Sequence, residues 1–207
     1  MPAFSRFLFP TWLGLVGAGF FGVWRYESVP GAAAPKAAAP EAVASAARPT
    51  TGRRPSDGVF RLDPVRPTIV VFAHPDCPCT RATLDGLTQA MERKPGRARV
   101  VVAIVGETRG PGVSANERAA RRIPGAVVTS DPQGAEARRR GAATSGQTFV
   151  FAPDGTSLFQ GGLTAVRGHY GPSAGLDAVA AILRGVRPPS PSAPVFGCSL
   201  ETEGARD

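Results

Sequence analysis

Hydrophobic and polar positions divide the chain into four stretches of different character. Phe7 to Trp24 is an uncharged, mostly apolar run of 18 residues between Arg6 and Arg25. A helix of that length is long enough to cross a bilayer, and Trp12, Trp24 and Tyr26 stand where aromatic side chains anchor at an interface. From Ser28 the pattern dissolves into an Ala- and Pro-rich stretch, densest in GAAAPKAAAPEAVASAARPTTGRRPS. Such a composition predicts an extended tether. Periodic order returns near Asp57 and lasts to Arg187, after which a Pro-rich tail carries Val195-Phe-Gly-Cys198-Ser-Leu200. The expected organisation is therefore an N-terminal membrane anchor or signal segment (1–27), a linker (28–56), one folded domain (57–187) and a tail (188–207).

Within the folded stretch the periodicity alternates between strand and helix. Gly58 to Leu62 reads as a short first strand, and Thr68 to Ala73 as a strand buried on both faces, apolar without alternation. Pro78 to Arg93 reads as a helix, with Thr80, Leu84, Leu87 and Met91 on one face and Pro95-Gly96 ending it. Ala98 to Val105 is a second buried strand. Glu117 to Ile123 reads as a short helix, Val127 to Thr129 as a strand and Gly134 to Gly141 as a helical segment. Thr148 to Ala152 and Ser157 to Phe159 flank Pro153-Asp154-Gly155, a hairpin signal, and Leu176 to Leu183 closes the domain as a helix. Alternating elements followed by a hairpin and a helix define a mixed α/β domain.

Charge changes this picture little. The formal net charge is +8, carried nearly all by scattered arginines. No basic stripe interleaved with aromatics is present, so a nucleic-acid partner is not expected. The charge fits a solvated face or weak attraction to anionic lipid.

The cysteines change it more. Cys77 and Cys79 lie where the Thr68 strand gives way to the Pro78 helix. A helix start offers unpaired N–H groups and the positive end of the helix dipole, and both favour thiolate over thiol. His74 is close enough in sequence to add charge or act as a base. Two residues along a helix is a rotation of about 200°, so Cys79 is expected to face away from Cys77, along Ala82, Thr83, Gly86 and Ala90. That small-residue face is either plain helix packing or a seat for the tail and Cys198. An N-terminal apolar segment, whether kept as an anchor or cleaved near Pro30-Gly-Ala-Ala-Ala34, implies export into an oxidising compartment. Three cysteines there leave one unpaired or make a shared ligand set. His169, in a Gly-rich loop after the hairpin, is the second of two histidines.

Phe72-Ala-His-Pro-Asp-Cys77-Pro-Cys79-Thr80-Arg81, followed by Gln147-Thr148-Phe149-Val150-Phe151 and Asp154-Gly155, resembles the thioredoxin-like superfamily, in its exported, membrane-anchored thiol–disulfide branch. Cys-Pro-Cys-Thr, Gly161-Gly-Leu-Thr, Arg167-Gly-His169 and Val-Phe-Gly-Cys198 further resemble a smaller bacterial subgroup called RedB-like. The resemblance spans about Asp57 to Arg187. It implies a three-layer α/β/α fold with a central mixed sheet, preceded by one transmembrane helix. It also implies Cys77 in the nucleophile position, Thr80 where the family's second cysteine stands, Arg81 as the usual basic residue, and Gln147 in place of the family's cis-proline.

The expected function is accordingly a membrane-tethered, periplasm-facing thiol–disulfide oxidoreductase that acts on an exported thiol or disulfide protein without a cofactor. Cys77 would attack, and Cys79 or Cys198 would resolve. Arg81 and Arg167 are candidate substrate contacts. The alternative is a metallochaperone in which Cys77, Cys79 and Cys198, with His74 or His169, hold Cu(I) or Zn. A third reading is a structural domain stapled by Cys79 and Cys198. No haem-attachment or phosphate-loop motif is present.

Overall fold

The computed structural model describes residues 4–32, 60–108 and 112–200. Along them run α1 (Phe4–Ser28), β1 (Thr68–Ala73), α2 (Pro78–Arg93), β2 (Arg99–Val105), α3 (Ala115–Ala120), β3 (Val127–Asp131), α4 (Ala135–Arg139), β4 (Gln147–Phe151), β5 (Ser157–Gly161), α5 (Ala174–Leu183) and β6 (Ser192–Ala193). They build one six-stranded sheet in the order β3-β2-β1-β4-β5-β6. β1 pairs parallel with β2, and β2 with β3, which forces the chain through α2 and α3 as crossovers. β4 pairs antiparallel with both β1 and β5, and β6 returns parallel to β5.

β1 is buried along its whole length and centres the sheet. Its pleat sends Ile69, Val71 and Ala73 to one face, where Leu84, Leu87 and Met91 of α2 and Ala178, Val179 and Ile182 of α5 cover them. Val70 and Phe72 go to the other face with Phe60, Phe149, Phe151 and Leu200. Phe72 meets Phe60 and Phe149 edge-on, at ring separations of 5.7 and 6.1 Å. Arg140 lies over the rings of Phe60 and Phe151, at 5.3 and 5.6 Å, and burial is the main cause lowering its pKa. This second layer is thin: its one helix is the five-residue α4, and Phe60 and Leu200 fill the remaining space.

Local signals set the element ends. Ser114 caps α3 by accepting from the Glu117 N–H, and Ser173 caps α5 by accepting from the Leu176 N–H. The α5 cap lengthens that helix to Ala174, two residues before the expected start. In the β4–β5 hairpin the Asp154 carboxylate accepts from the Thr156 N–H at 2.9 Å, and Gly155 takes the positive φ of 90°.

Two expectations change. Phe60 to Leu62 is not a strand, while Gly58 and Val59 lie outside the described residues. Phe60 serves as an aromatic plug of the second core instead. The N-terminal run does form the helix α1, but among the described residues no helix is long and apolar enough to cross a membrane. The side chains of Phe7 and Leu8, the first residues of the expected span, lie outside those described. The chain after Arg187 joins the sheet through β6.

Candidate functional site: a cysteine cluster under the C-terminal segment

Cys77 caps α2 with extended backbone (φ −78°, ψ 111°), and Pro78 opens the helix. Proline suits that place because its φ is already helical and the missing N–H would have no partner within the helix. The turn from β1 into the cap is clamped from two sides. The buried Asn116 side chain of α3 donates to the carbonyls of both His74 and Cys77, at 2.9 and 2.8 Å. On the other side the buried Ser145 hydroxyl accepts from the His74 N–H at 2.7 Å and lies 2.6 Å from the Thr80 hydroxyl. With the Ser145 proton given to Thr80 Oγ1, the Thr80 proton is free for the Cys77 sulfur.

The C-terminal segment covers this arrangement. After β6, Gly162 N–H donates to Pro194 O at 3.2 Å, and the Arg167 guanidinium donates to Gly197 O at 2.5 Å. Ser145 N–H then donates to Cys198 O, and Leu200 N–H to Ala143 O, both at 2.8 Å, with an antiparallel bridge between Thr144 and Ser199. This path sets the Cys198 N–H 3.4 Å from the Cys77 sulfur and leaves Cys77 only 1% exposed. The approach requires glycine. A Cβ at Gly197 would fall 2.0 Å from Ser145 O, and one at Gly162 would fall 2.6 Å from Pro194 O.

The contact moves the two thiols in opposite directions. Burial pushes Cys77 up, but hydrogen bonds from the Cys198 and Thr80 side chains and from the Cys198 backbone outweigh it, so the net shift is downward. Cys198 is pushed up to about 12, by burial first, then by the proton it shares with Cys77 and the Cys77 charge. Of the two, Cys77 is the one on which charge is favoured and Cys198 the one on which the proton is favoured. All three cysteines are free.

Cys79 is half-buried and raised, by burial and then by the Cys77 charge, while Arg167 acts in the opposite sense. It therefore belongs to the same cluster, whereas helix rotation predicted that it would diverge from Cys77. The rotation rule fails because Cys77 is the cap, outside the helix, so the two residues are not separated by two helical steps. The stripe along Gly86 receives α5, with Leu176 against Gly86, and the tail seats on Cys77.

Not every expected residue joins the cluster. Among the described residues no group of three or more His, Cys, Asp or Glu is arranged to hold a metal ion. His74 Nδ1 accepts from the Asp76 N–H, and His169 sits in the loop between Gly168 and Gly171. Gln147 is buried opposite Phe72, and its Oε1 finds no hydrogen-bond partner among the described residues. No described peptide bond is cis. Arg81 has a buried Nε without a partner among the described residues. Arg167 does reach the cluster, through Gly197 O and Cys79, and also lies over the Tyr26 ring of α1 at 5.0 Å. Asn116 and Ser145 were missed. Asn116 sits in a short, charged helix that reads as a solvated face, and Ser145 stands beside the strand signal without a motif of its own.

The mixed sheet, its parallel half built through helices and its antiparallel half through a hairpin, with a cysteine capping the first crossover helix, defines a thioredoxin-like α/β fold. No protein-family profile matches the chain, and no curated protein does. Solved structures match in fold. One is an uncharacterized conserved protein from Geobacillus kaustophilus (TM-score 0.54, 21% identity, covering 68% of this chain and 79% of that one). Another is a hypothetical protein from Sinorhizobium meliloti 1021 (TM-score 0.54, 20% identity, covering 67% and 81%). A secreted Mycobacterium tuberculosis disulfide oxidoreductase homologous to E. coli DsbE aligns more loosely (TM-score 0.42, 17% identity, covering 58% and 82%).

Proposed function

We propose that the chain is a thiol–disulfide oxidoreductase of the exported, RedB-like kind, with Cys77 as nucleophile and Cys198 as resolving thiol. The observation that carries this reading is the single contact in which Cys198 donates to the Cys77 sulfur, favouring charge on one and a proton on the other. In the reducing direction the Cys77 thiolate attacks a substrate disulfide, forming a mixed disulfide and expelling the first substrate thiolate. Cys198, giving up its proton, then attacks the Cys77 sulfur. The second substrate thiol leaves with that proton, and the chain is left two electrons oxidised as a Cys77–Cys198 disulfide. An external dithiol resets it. These steps use side chains alone and need no cofactor.

Thr80 and Ser145 act as donors and positioners for the thiolate. Arg167 orients the Cys198 segment and offers charge to a substrate carboxylate; Arg81 is a second candidate contact. Gln147 lines the strand beside the cluster.

The partner class that fits is an exported thiol or disulfide protein. α1 supports a location at a membrane surface, because Phe9, Trp12, Leu15, Phe20, Phe21 and Trp24 are all exposed on it.

Replacing Cys77 by Ser is expected to abolish reduction of a model disulfide. Unchanged turnover would overturn the assignment. Peptide mapping of the oxidised chain is expected to find Cys77 joined to Cys198.

A further inference from the structure

We infer that Val195–Leu200 is a strap that sets substrate size: while it is docked only small disulfides reach Cys77, and a disulfide on a folded protein reacts only after the strap lifts. The inference rests on Cys77 being the nucleophile. It starts from burial, since Cys77 is 1% exposed although it caps a helix. What covers it is neither a helix nor a paired strand of the central sheet. It is Gly197-Cys198-Ser199, suspended between two apolar plugs. Val195 and Phe196 are buried on one side of it and Leu200 on the other.

The ties are few and local. Ser145, Ala143 and Gly31 each make one backbone hydrogen bond with the segment, Gly31 to Val195 O at 2.9 Å, and Arg167 holds the Gly197 carbonyl. Segments held this way open at far lower cost than the whole fold. The β6 pairing upstream, two residues long, keeps the strap near the site when it lifts.

Fraying of Gly197 and Cys198 alone uncovers a path for a small molecule. A protein surface needs Phe196 and Leu200 withdrawn as well. No cysteine lines either of two clefts elsewhere, of about 410 and 370 Å³.

The resolving thiol rides on the strap. Lifting it for a bulky substrate removes Cys198 from the reacting sulfur, and redocking restores it. The two halves of the exchange are thereby separated in time for protein substrates and run together for small ones. Gly197 and Arg167 are specificity-determining residues in this scheme. The glycine permits the close approach to Ser145 O, and the arginine clasps the strap.

The test uses the full chain with Cys79→Ser and Cys198→Ser, which leaves Cys77 as the single thiol. Its alkylation rate is measured with N-ethylmaleimide and with a polyethylene-glycol maleimide of several kilodaltons, in the native and the guanidinium-unfolded chain. The bulky-to-small rate ratio is expected to be lower in the native chain by roughly tenfold or more, as protection by a local opening requires. Adding Gly197→Val or Arg167→Leu is expected to raise the native ratio toward the unfolded one. Far-UV circular dichroism confirms that each variant is folded, and Arg167→Leu keeps the test open where Gly197→Val does not fold. Equal ratios in native and unfolded chains, or a native ratio that neither folded variant moves, overturn the strap. Alkylation does not require turnover, so the gate is judged on these ratios. The oxidoreductase reading is judged separately, on reduction of a small disulfide by the unmodified chain.

Discussion

Cys77 reaches the cluster on β1 and α2, whose side chains fill the two cores of the sheet. Cys198 reaches it on a segment tied by a two-residue strand, a few backbone hydrogen bonds, one arginine and three apolar plugs. The first thiol sits at the junction of a central strand and its crossover helix; the second sits on the C-terminal segment. A nucleophile gains from a fixed place, because a donor such as Thr80 acts only where its geometry is held in advance. A resolving thiol gains from the ability to leave and return. The opposite pKa shifts of the two cysteines express the same division.

The largest expected effect tests delivery. Cys198→Ser keeps the strap's backbone and removes its thiol. Attack by Cys77 continues, but resolution falls to external thiols and slows by on the order of 10²-fold or more, since a positioned intramolecular group is lost. Mass spectrometry of the chain mixed with a model disulfide is expected to show an adduct on Cys77. Rapid turnover without an adduct would break the pairing of Cys77 with Cys198.

The next sharpens the contrast in stability. Asn116→Ala leaves the buried carbonyls of His74 and Cys77 without their side-chain donor. Losing such partners costs about 1–3 kcal/mol, read as a fall in the urea midpoint at unchanged slope. Phe196→Ala on the strap is expected to weaken hydrogen-exchange protection of the Cys198 and Leu200 amides more than that of β1. An equal loss of protection across β1 would mean that the strap belongs to the core.

Much of the fixed half was legible in the chain itself. β1 is apolar without alternation, and α2 carries Leu84, Leu87 and Met91 at helical spacing, so burial on both faces of one and one face of the other follows from pattern. Cys77 at their junction follows as well. The delivered half was legible only as a hint, in the apolar Val195-Phe196 and Leu200 around a cysteine. Its seat depends on Gly197 against Ser145 and on Gly162 against Pro194, contacts between distant residues that no local pattern encodes.

A smaller effect concerns the thiolate itself. Cys77 is held below the ordinary thiol range, so its alkylation rate should climb and level off at lower pH than that of a free cysteine, near 8.5. Thr80→Val removes a donor to the charged form and is expected to move that midpoint upward by roughly one unit or less. A downward move would mean that Thr80 does not donate to the sulfur. Stability shifts with the same sign. A folded-state pKa below the unfolded one adds stability at alkaline pH that is lost as pH falls through the folded value.

The smallest expected effect tests which cysteine stands outside the exchange. Cys79 shares the cluster, and its thiol is raised by burial first and then by the charge on Cys77. It sits in the first turn of α2, on the fixed half of the site, and cannot withdraw to let a substrate in. In the strap scheme Cys198 stays docked beside Cys77 while a small disulfide reacts, so the resolving step does not need Cys79. Cys79→Ser is therefore expected to change turnover of a small disulfide by less than about twofold, the scale of a substitution that removes no critical contact. A collapse of turnover, with the Cys77 adduct accumulating as in Cys198→Ser, would transfer the resolving role to Cys79. The strap would then be a cover for the site and no longer a participant in the exchange.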